Sequence, residues 1–213
     1  MLSGMGFIDI VLMLPVILFA ITIHECSHAY AAYRMGDSTA RDLGRLTLNP
    51  LSHIDIIGAL MMILTGFGWA SPVPINPMNF SRYKKGVIIV SLAGSAANLV
   101  AGFVSMFMFY AVGKFIPQSW FGVKALLTIF GSLAYINISF GVFNLLPIPP
   151  LDGFKILSVL LPYRFRENLL FMERNSFIIL IIFFMLFSRI LTKISGFVAD
   201  LFANVILYIL NLI

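Results

Sequence analysis

Long apolar runs separated by short polar stretches dominate the chain. A membrane helix needs about 20 mostly apolar residues, and five runs are close to that length or longer: 8–33, 86–112, 123–146, 175–191 and 194–213. The last two meet around Thr192 and Lys193, which predicts a tightly joined C-terminal helix pair over 175–213. The pattern predicts an all-α polytopic membrane protein with about five transmembrane helices.

A further apolar stretch, residues 54–69, is short and is interrupted by three glycines. It is followed by Ser71-Pro72-Val73-Pro74-Ile75-Asn76-Pro77, which cannot continue a helix because proline lacks the backbone donor and clashes with the preceding turn. Prolines at this spacing are compatible with an edge strand. We therefore predict a re-entrant or interfacial segment over 54–69 and a short edge strand over 71–77.

The distribution of Lys and Arg indicates how the chain crosses the membrane. If 54–69 turns back, ten of these residues share one side and four lie on the other; if it spans, each side has seven. Because cytoplasmic loops carry an excess of Lys and Arg, the first arrangement is favoured. It places the basic loops in the cytoplasm and predicts a multi-pass protein of the cell membrane.

Composition excludes several classes of protein. Of the 213 residues, 60% are hydrophobic and 11% are charged, whereas soluble domains have about 25% charged residues. We therefore exclude a cytosolic enzyme and a disordered protein, and we attribute the net charge of +5 to the loops rather than to nucleic acid binding. The single cysteine, Cys26, excludes an internal disulfide and a four-cysteine zinc site. We expect one membrane-embedded domain over 1–213, with a core at 8–161.

The pentapeptide His24-Glu25-Cys26-Ser27-His28 places ionisable groups in the last turns of the first run. Residues four apart share a helix face, so both imidazoles can bind one ion, and Glu25 lies about 100° from His24 around the helix. This H-E-x-x-H pattern is typical of a zinc site with a glutamate general base. The alternative is a chance pentapeptide, but ionisable groups inside a membrane segment are costly and usually functional.

Two histidines leave zinc short of a third protein ligand, and Asp152 is the best candidate. It lies in the run NLLPIPPLDG at 144–153, where three prolines interrupt the apolar pattern. Such a break at membrane depth is tolerated where the backbone lines a polar site. The re-entrant arrangement brings Asp152 and the histidines to one membrane face, whereas a spanning segment separates them. His53 and Asp55 are the next candidates.

Five motifs, HECSH at 24–28, NPLSHID at 49–55, GWASPVP at 68–74, GSAAN at 94–98 and NLLPIPPLDG at 144–153, occur in this order. Together they resemble the site-2 proteases, a family of intramembrane zinc metalloproteases, in the short form without a PDZ or CBS domain. The resemblance implies one zinc ion on His24, His28 and Asp152, with Glu25 as the base. It further implies substrate or oxyanion contacts from Asn98 and Asn144, and substrate pairing along the segment Pro72-Val73-Pro74.

Two of the polar candidates also have structural interpretations. His53 could orient substrate, pair with Asp55 or support the zinc ligands, but a solvated or hydrogen-bonded loop histidine fits equally well. Asn98 follows Gly94 and Ser95, and small residues let helices approach closely enough for an asparagine to bond across them.

The sequence thus predicts a zinc endopeptidase that cleaves membrane proteins within or near their transmembrane segments, with its active site near the cytoplasmic face. Its expected partners are such a substrate and the lipid bilayer. One alternative is a zinc relay, which would need ionisable groups through several spans, but residues 103–110 and 178–187 contain no charge. The other is a protein that binds membrane segments without cutting them, against which the intact Glu25 argues.

Overall fold

The computed structural model describes residues 7–55, 57, 58, 60, 61 and 70–212. Within these residues the structure is helical, with one isolated β-bridge and no sheet. The α-helices are α1 (Phe7–Met35), α2 (Thr39–Asp42), α3 (Tyr83–Phe115), α4 (Val123–Asn144), α5 (Asp152–Leu160), α6 (Arg166–Arg174) and α7 (Ser176–Leu212). Short 3₁₀ turns occur at Pro50–His53, Pro77–Asn79 and Tyr163–Phe165. The chain forms two compact units, Met1–Gly94 and Ser95–Ile213.

Four helices in the described part of the chain are long and apolar enough to cross a membrane. They are Met13–Met35 within α1, Tyr83–Phe115, Val123–Asn144 and Ser176–Leu212. The prediction of an all-helical fold with several candidate membrane spans is confirmed, but the described residues contain four such helices where five were expected.

The predicted C-terminal helix pair is wrong. Residues Ser176–Leu212 form one continuous helix of 37 residues, about 55 Å long at 1.5 Å per residue. Neither Thr192 nor Lys193 breaks it, since both have side chains that a helix accommodates. The Thr192 hydroxyl instead donates to the Ser188 carbonyl at 3.0 Å, one turn earlier in the same helix.

In the first unit, α1 packs against α2 and the Pro50–His53 turn. A single antiparallel bridge joins Ile54 to Ala70, and the Ser71 N–H donates to the His53 carbonyl at 3.0 Å. The predicted re-entrant segment falls largely outside the described residues, which omit 56, 59 and 62–69.

The predicted edge strand at 71–77 is not confirmed, because residues 71–76 join no ladder among the described residues. Three prolines in this stretch remove backbone donors that a ladder would need. Two of the amides that remain, those of Val73 and Asn76, donate to side-chain carboxylates instead.

The second unit is built from helices that approach closely at glycines. A Cβ on Gly102 of α3 would lie 2.6 Å from the Ile138 side chain, and one on Gly141 of α4 would lie 3.0 Å from the Ser95 carbonyl. Helix α7 packs against α4, and Phe103 contacts Phe202 with ring centroids 5.2 Å apart.

Candidate active site

Helix α1 brings the two histidines of the H-E-x-x-H motif together. The Nε2 atoms of His24 and His28 lie 2.9 Å apart, and their rings meet edge to face at a centroid distance of 4.4 Å. Both side chains are buried, with 3% and 5% of their surfaces exposed. The helical spacing predicted this convergence, and the structure confirms it within the first unit.

The environment of His28 favours metal binding by Nε2. Its Nδ1 lies 2.7 Å from the Val90 carbonyl of α3. A carbonyl can only accept, so this contact places the ring proton on Nδ1 and leaves the lone pair of Nε2 for a metal. Imidazole nitrogens suit zinc. The chemistry of these donors therefore fits a zinc ion.

Gly94 of α3 makes room for both imidazole rings. A Cβ at this position would lie 2.6 Å from His28 Nε2 and 2.7 Å from His24 Nδ1. Glycine is therefore needed here for close helix packing rather than for an unusual backbone conformation. In the sequence, Gly94 is only the first residue of the GSAAN motif, and nothing local indicates this role.

Glu25 follows the first histidine and is partly buried. Its Oε2 accepts the Val73 N–H at 2.8 Å. The Val73 side chain is buried in a small cluster with Ala29 and Ala40. The segment Pro72-Val73-Pro74, predicted as a substrate strand, thus contacts the predicted base in this structure.

Asp152 lies in the second unit, in the first turn of α5, and is 4% exposed. Its Oδ1 accepts from Lys155 Nζ at 2.9 Å. The next residue, Gly153, permits a close backbone approach, because a Cβ there would lie 2.2 Å from the Leu145 carbonyl oxygen. Asp152 is thus a buried carboxylate that pairs with Lys155 at the start of a helix.

The two asparagines predicted to contact substrate are also in the second unit, and both are buried. Asn98 Nδ2 donates to Asn137 Oδ1 at 2.9 Å, and Asn137 Nδ2 donates to the Leu133 carbonyl at 2.9 Å. Asn144 Nδ2 donates to the Phe140 carbonyl at 3.0 Å. The bond between Asn98 and Asn137 matches the structural interpretation of Asn98, whereas no motif in the sequence contains Asn137.

His53 is buried in the first unit, with 1% of its surface exposed, which excludes the solvated-loop interpretation. Its Nε2 lies 3.0 Å from the Thr47 carbonyl. The Asp55 carboxylate accepts from the Gly58 N–H at 2.7 Å. These contacts agree with a hydrogen-bonded loop histidine.

Two comparisons with known proteins bear on this site. The sequence profile of Peptidase family M50 matches residues 116–189. The chain is also 36% identical over 169 residues to the Bacillus subtilis (strain 168) protein named "Putative zinc metalloprotease YwhC", and the match covers 79% of this chain and 77% of that protein. The chain belongs to peptidase family M50. The resemblance to site-2 proteases is thereby confirmed, and this M50 peptidase is a metalloprotease.

Other relatives carry similar names. The protein named "Putative zinc metalloprotease Rip2" of Mycolicibacterium smegmatis is 32% identical over 151 residues, and that of Mycobacterium tuberculosis (strain ATCC 25618 / H37Rv) is 30% identical over 151 residues. The matches cover 66% of this M50 chain and 54% of each Rip2 protein, so the chain spans about half of their length. No solved structure matches the chain. Because the chain belongs to a peptidase family, peptide hydrolysis is favoured over the zinc relay.

Proposed function

We propose that this M50 peptidase is an intramembrane zinc endopeptidase that hydrolyses peptide bonds within or near the transmembrane segments of membrane proteins. The convergence of His24 and His28 carries the proposal, because their Nε2 atoms lie 2.9 Å apart inside an apolar helix. Buried polar groups in such a helix are costly and mark function. Glu25 follows His24 directly in the H-E-x-x-H pattern, and we assign it the role of general base.

Asp152 is our candidate for the third ligand of a single zinc ion per chain. Its carboxylate is buried, it lies within the part of the chain that the M50 profile matches, and catalytic zinc sites usually have three protein ligands. The predicted topology assigns this site to the cytoplasmic side of the cell membrane. His53 is a weaker candidate, since among the described residues it does not lie in the cluster of potential metal ligands that contains His24 and His28.

The side chains divide the chemistry between them. Zinc, when bound, supplies a Lewis acid that polarises the scissile carbonyl and activates water. Glu25 takes a proton from the attacking water and later passes it to the leaving amine. Because Oε2 of Glu25 accepts the Val73 N–H, we assign proton transfer to Oε1. Asn98 and Asn144 are candidates for contacts to the substrate backbone or oxyanion.

The extended stretch Pro72-Val73-Pro74 is our candidate surface for the substrate. A transmembrane helix hides its peptide carbonyls in internal hydrogen bonds, so it must unwind before cleavage, and an unwound segment can pair with extended backbone. Pro72 is exposed and Pro74 is partly buried, so this stretch is accessible along one side.

Zinc content and cleavage together test the proposal. We expect about one zinc ion per wild-type chain, a greatly reduced zinc content in Asp152→Ala, and unchanged content in Asp200→Ala, which removes an exposed carboxylate of α7. Glu25→Gln should retain zinc and lose cleavage of a co-expressed panel of single-span membrane proteins. Equal zinc in wild type and Asp152→Ala would exclude Asp152 as a ligand, and near-normal cleavage by Glu25→Gln would exclude Glu25 as the base.

A further inference from the structure

Residues 71–79 run past α1 without joining a sheet, yet two side chains hold this segment at opposite ends. Arg45 binds its beginning and Asp37 binds its end. Between them, the Val73 N–H donates to Glu25 Oε2. All of these contacts lie within the first unit.

Asp37 is completely buried and accepts several hydrogen bonds. Its Oδ2 accepts the Asn76 N–H at 2.7 Å, and its Oδ1 accepts Asn79 Nδ2 at 2.8 Å. Oδ1 also accepts from the N–H and hydroxyl of Thr39. Burial raises the pKa of this carboxyl, but the hydrogen bonds outweigh burial and lower its pKa below the usual range. Asp37 is therefore an ionised anchor between the end of α1 and residues 76–79.

Arg45 follows α2 and is partly buried. Its Nη2 donates to the Ser71 carbonyl at 2.7 Å, and the same atom lies 3.3 Å from the Pro72 carbonyl. A guanidinium holds several acceptors in one fixed plane, which a lysine ammonium does not. Arg45 thus fixes the two carbonyls that immediately precede Val73.

We infer that Asp37 and Arg45 are positioning residues that set the Val73 amide against Glu25. Val73 lies between the two anchors, so loss of either one frees the amide to move away from the carboxylate. This inference rests on the proposed function only in taking Glu25 as the general base. The two positioning residues contact residues 71–79 and act through them.

The exchange rate of the Val73 amide proton tests this inference without a substrate. The probe is zinc-loaded, ¹⁵N-valine-labelled protein in detergent micelles, and the Val73→Ile variant assigns the signal. The variant Glu25→Ala removes the acceptor and should speed exchange of the Val73 amide proton. Because local opening sets the exchange rate, Asp37→Asn should also speed exchange, by about tenfold or more. Arg45→Lys should also speed exchange of the Val73 amide proton.

Two exposed neighbours provide matched controls. Asp42→Asn and Arg41→Lys make the same chemical changes in α2, at residues that pair with each other on the surface. Both should leave Val73 exchange within about twofold of wild type. If Asp37→Asn does not fold, Asn79→Ala removes a single donor to Asp37 and should raise exchange a few-fold.

Coupling between variants distinguishes positioning from general loosening. In the double variant Asp37→Asn/Glu25→Ala, exchange should be no faster than in the faster single variant, because both changes break the same contact. The inference would be overturned if the increases in exchange rate of the two single variants multiplied in the double variant. It would also be overturned if the Val73 amide of Asp37→Asn exchanged at the wild-type rate.

Cleavage supplies the second readout. With a membrane reporter that the wild type cleaves, Asp37→Asn should lower kcat about tenfold or more while KM and zinc content stay close to wild type. An unchanged kcat with fast Val73 exchange would overturn the link to catalysis. If wild type cleaves no reporter, the proposed function fails, and the exchange measurements alone decide whether these residues position the amide.

Discussion

At the scale of single residues, the imidazole pair depends on the absence of a side chain at Gly94. The two rings occupy the space that a Cβ would take, with His28 Nε2 only 2.6 Å from its ideal position. Val90, one turn earlier in α3, supplies the carbonyl that faces His28 Nδ1. One turn of α3 therefore both makes room for the rings and orients one of them.

We predict that Gly94→Ala displaces both imidazoles and weakens zinc binding about 10- to 100-fold, which is the usual effect of disturbing the support of metal ligands. The measurement is zinc content and affinity of the purified variant. Gly113→Ala is the matched control, because it lies in the same helix and a Cβ there would have its nearest contact 4.0 Å away. Wild-type zinc affinity in Gly94→Ala would show that the rings do not occupy this position.

The motif residues could be predicted from the sequence, but their surroundings could not. His24, Glu25 and His28 follow from helical spacing, which is local and fixed. The contribution of Gly94 depends on which residue of α3 meets α1, and that register is a tertiary property. Likewise, nothing local indicates that Asp37 and Arg45 hold a segment more than 25 residues further along the chain.

At the scale of elements, the start of α5 is fixed by its contact with the end of α4. Leu145 and Leu146 directly follow α4, and Gly153 lies close to both. A Cβ on Gly153 would be 2.2 Å from the Leu145 carbonyl oxygen and 2.4 Å from that of Leu146. Backbone atoms cannot rotate aside as a side chain can. The position of Asp152 therefore depends on glycine at the next residue.

Gly153→Ala should move the first turn of α5, lower stability by about 1–3 kcal/mol as overpacking does, and reduce zinc content if Asp152 is a ligand. Thermal unfolding in micelles and metal analysis measure the two effects. Gly196→Ala in α7 is the control, since a Cβ there would have no neighbour within 4 Å. A Gly153→Ala protein as stable as wild type would contradict the packing argument.

The C-terminal helix shows where the apolar pattern was insufficient. Thr192 and Lys193 interrupt the run of apolar residues, and a turn between two helices would interrupt it in the same way. A helix-breaking residue near Thr192 would have indicated a turn between two helices rather than one continuous helix. Proline is absent from 176–212, and the helix accommodates the lone Gly196. The local hydrogen bond from Thr192 to Ser188 was not visible in the pattern.

At the scale of the whole molecule, a continuous α7 changes the expected topology. A bilayer core is about 30 Å thick, and a 37-residue helix is about 55 Å long, so α7 can cross once and extend beyond the core. The loop before it and the C-terminus then lie on opposite sides of the membrane. A helix pair would have returned the C-terminus to the side of that loop, with Thr192 exposed at the turn.

Single cysteines in a Cys26→Ala background test this topology. We expect a membrane-impermeant maleimide to label Glu167→Cys and Asn211→Cys from opposite sides of oriented vesicles, because both positions are exposed and flank α7. Thr192→Cys, near the middle of the helix, should react from neither side until detergent is added, since the bilayer excludes the charged reagent. Labelling of the two flanking cysteines from the same side, together with labelling of Thr192→Cys from the other, would restore the helix pair and contradict the continuous helix.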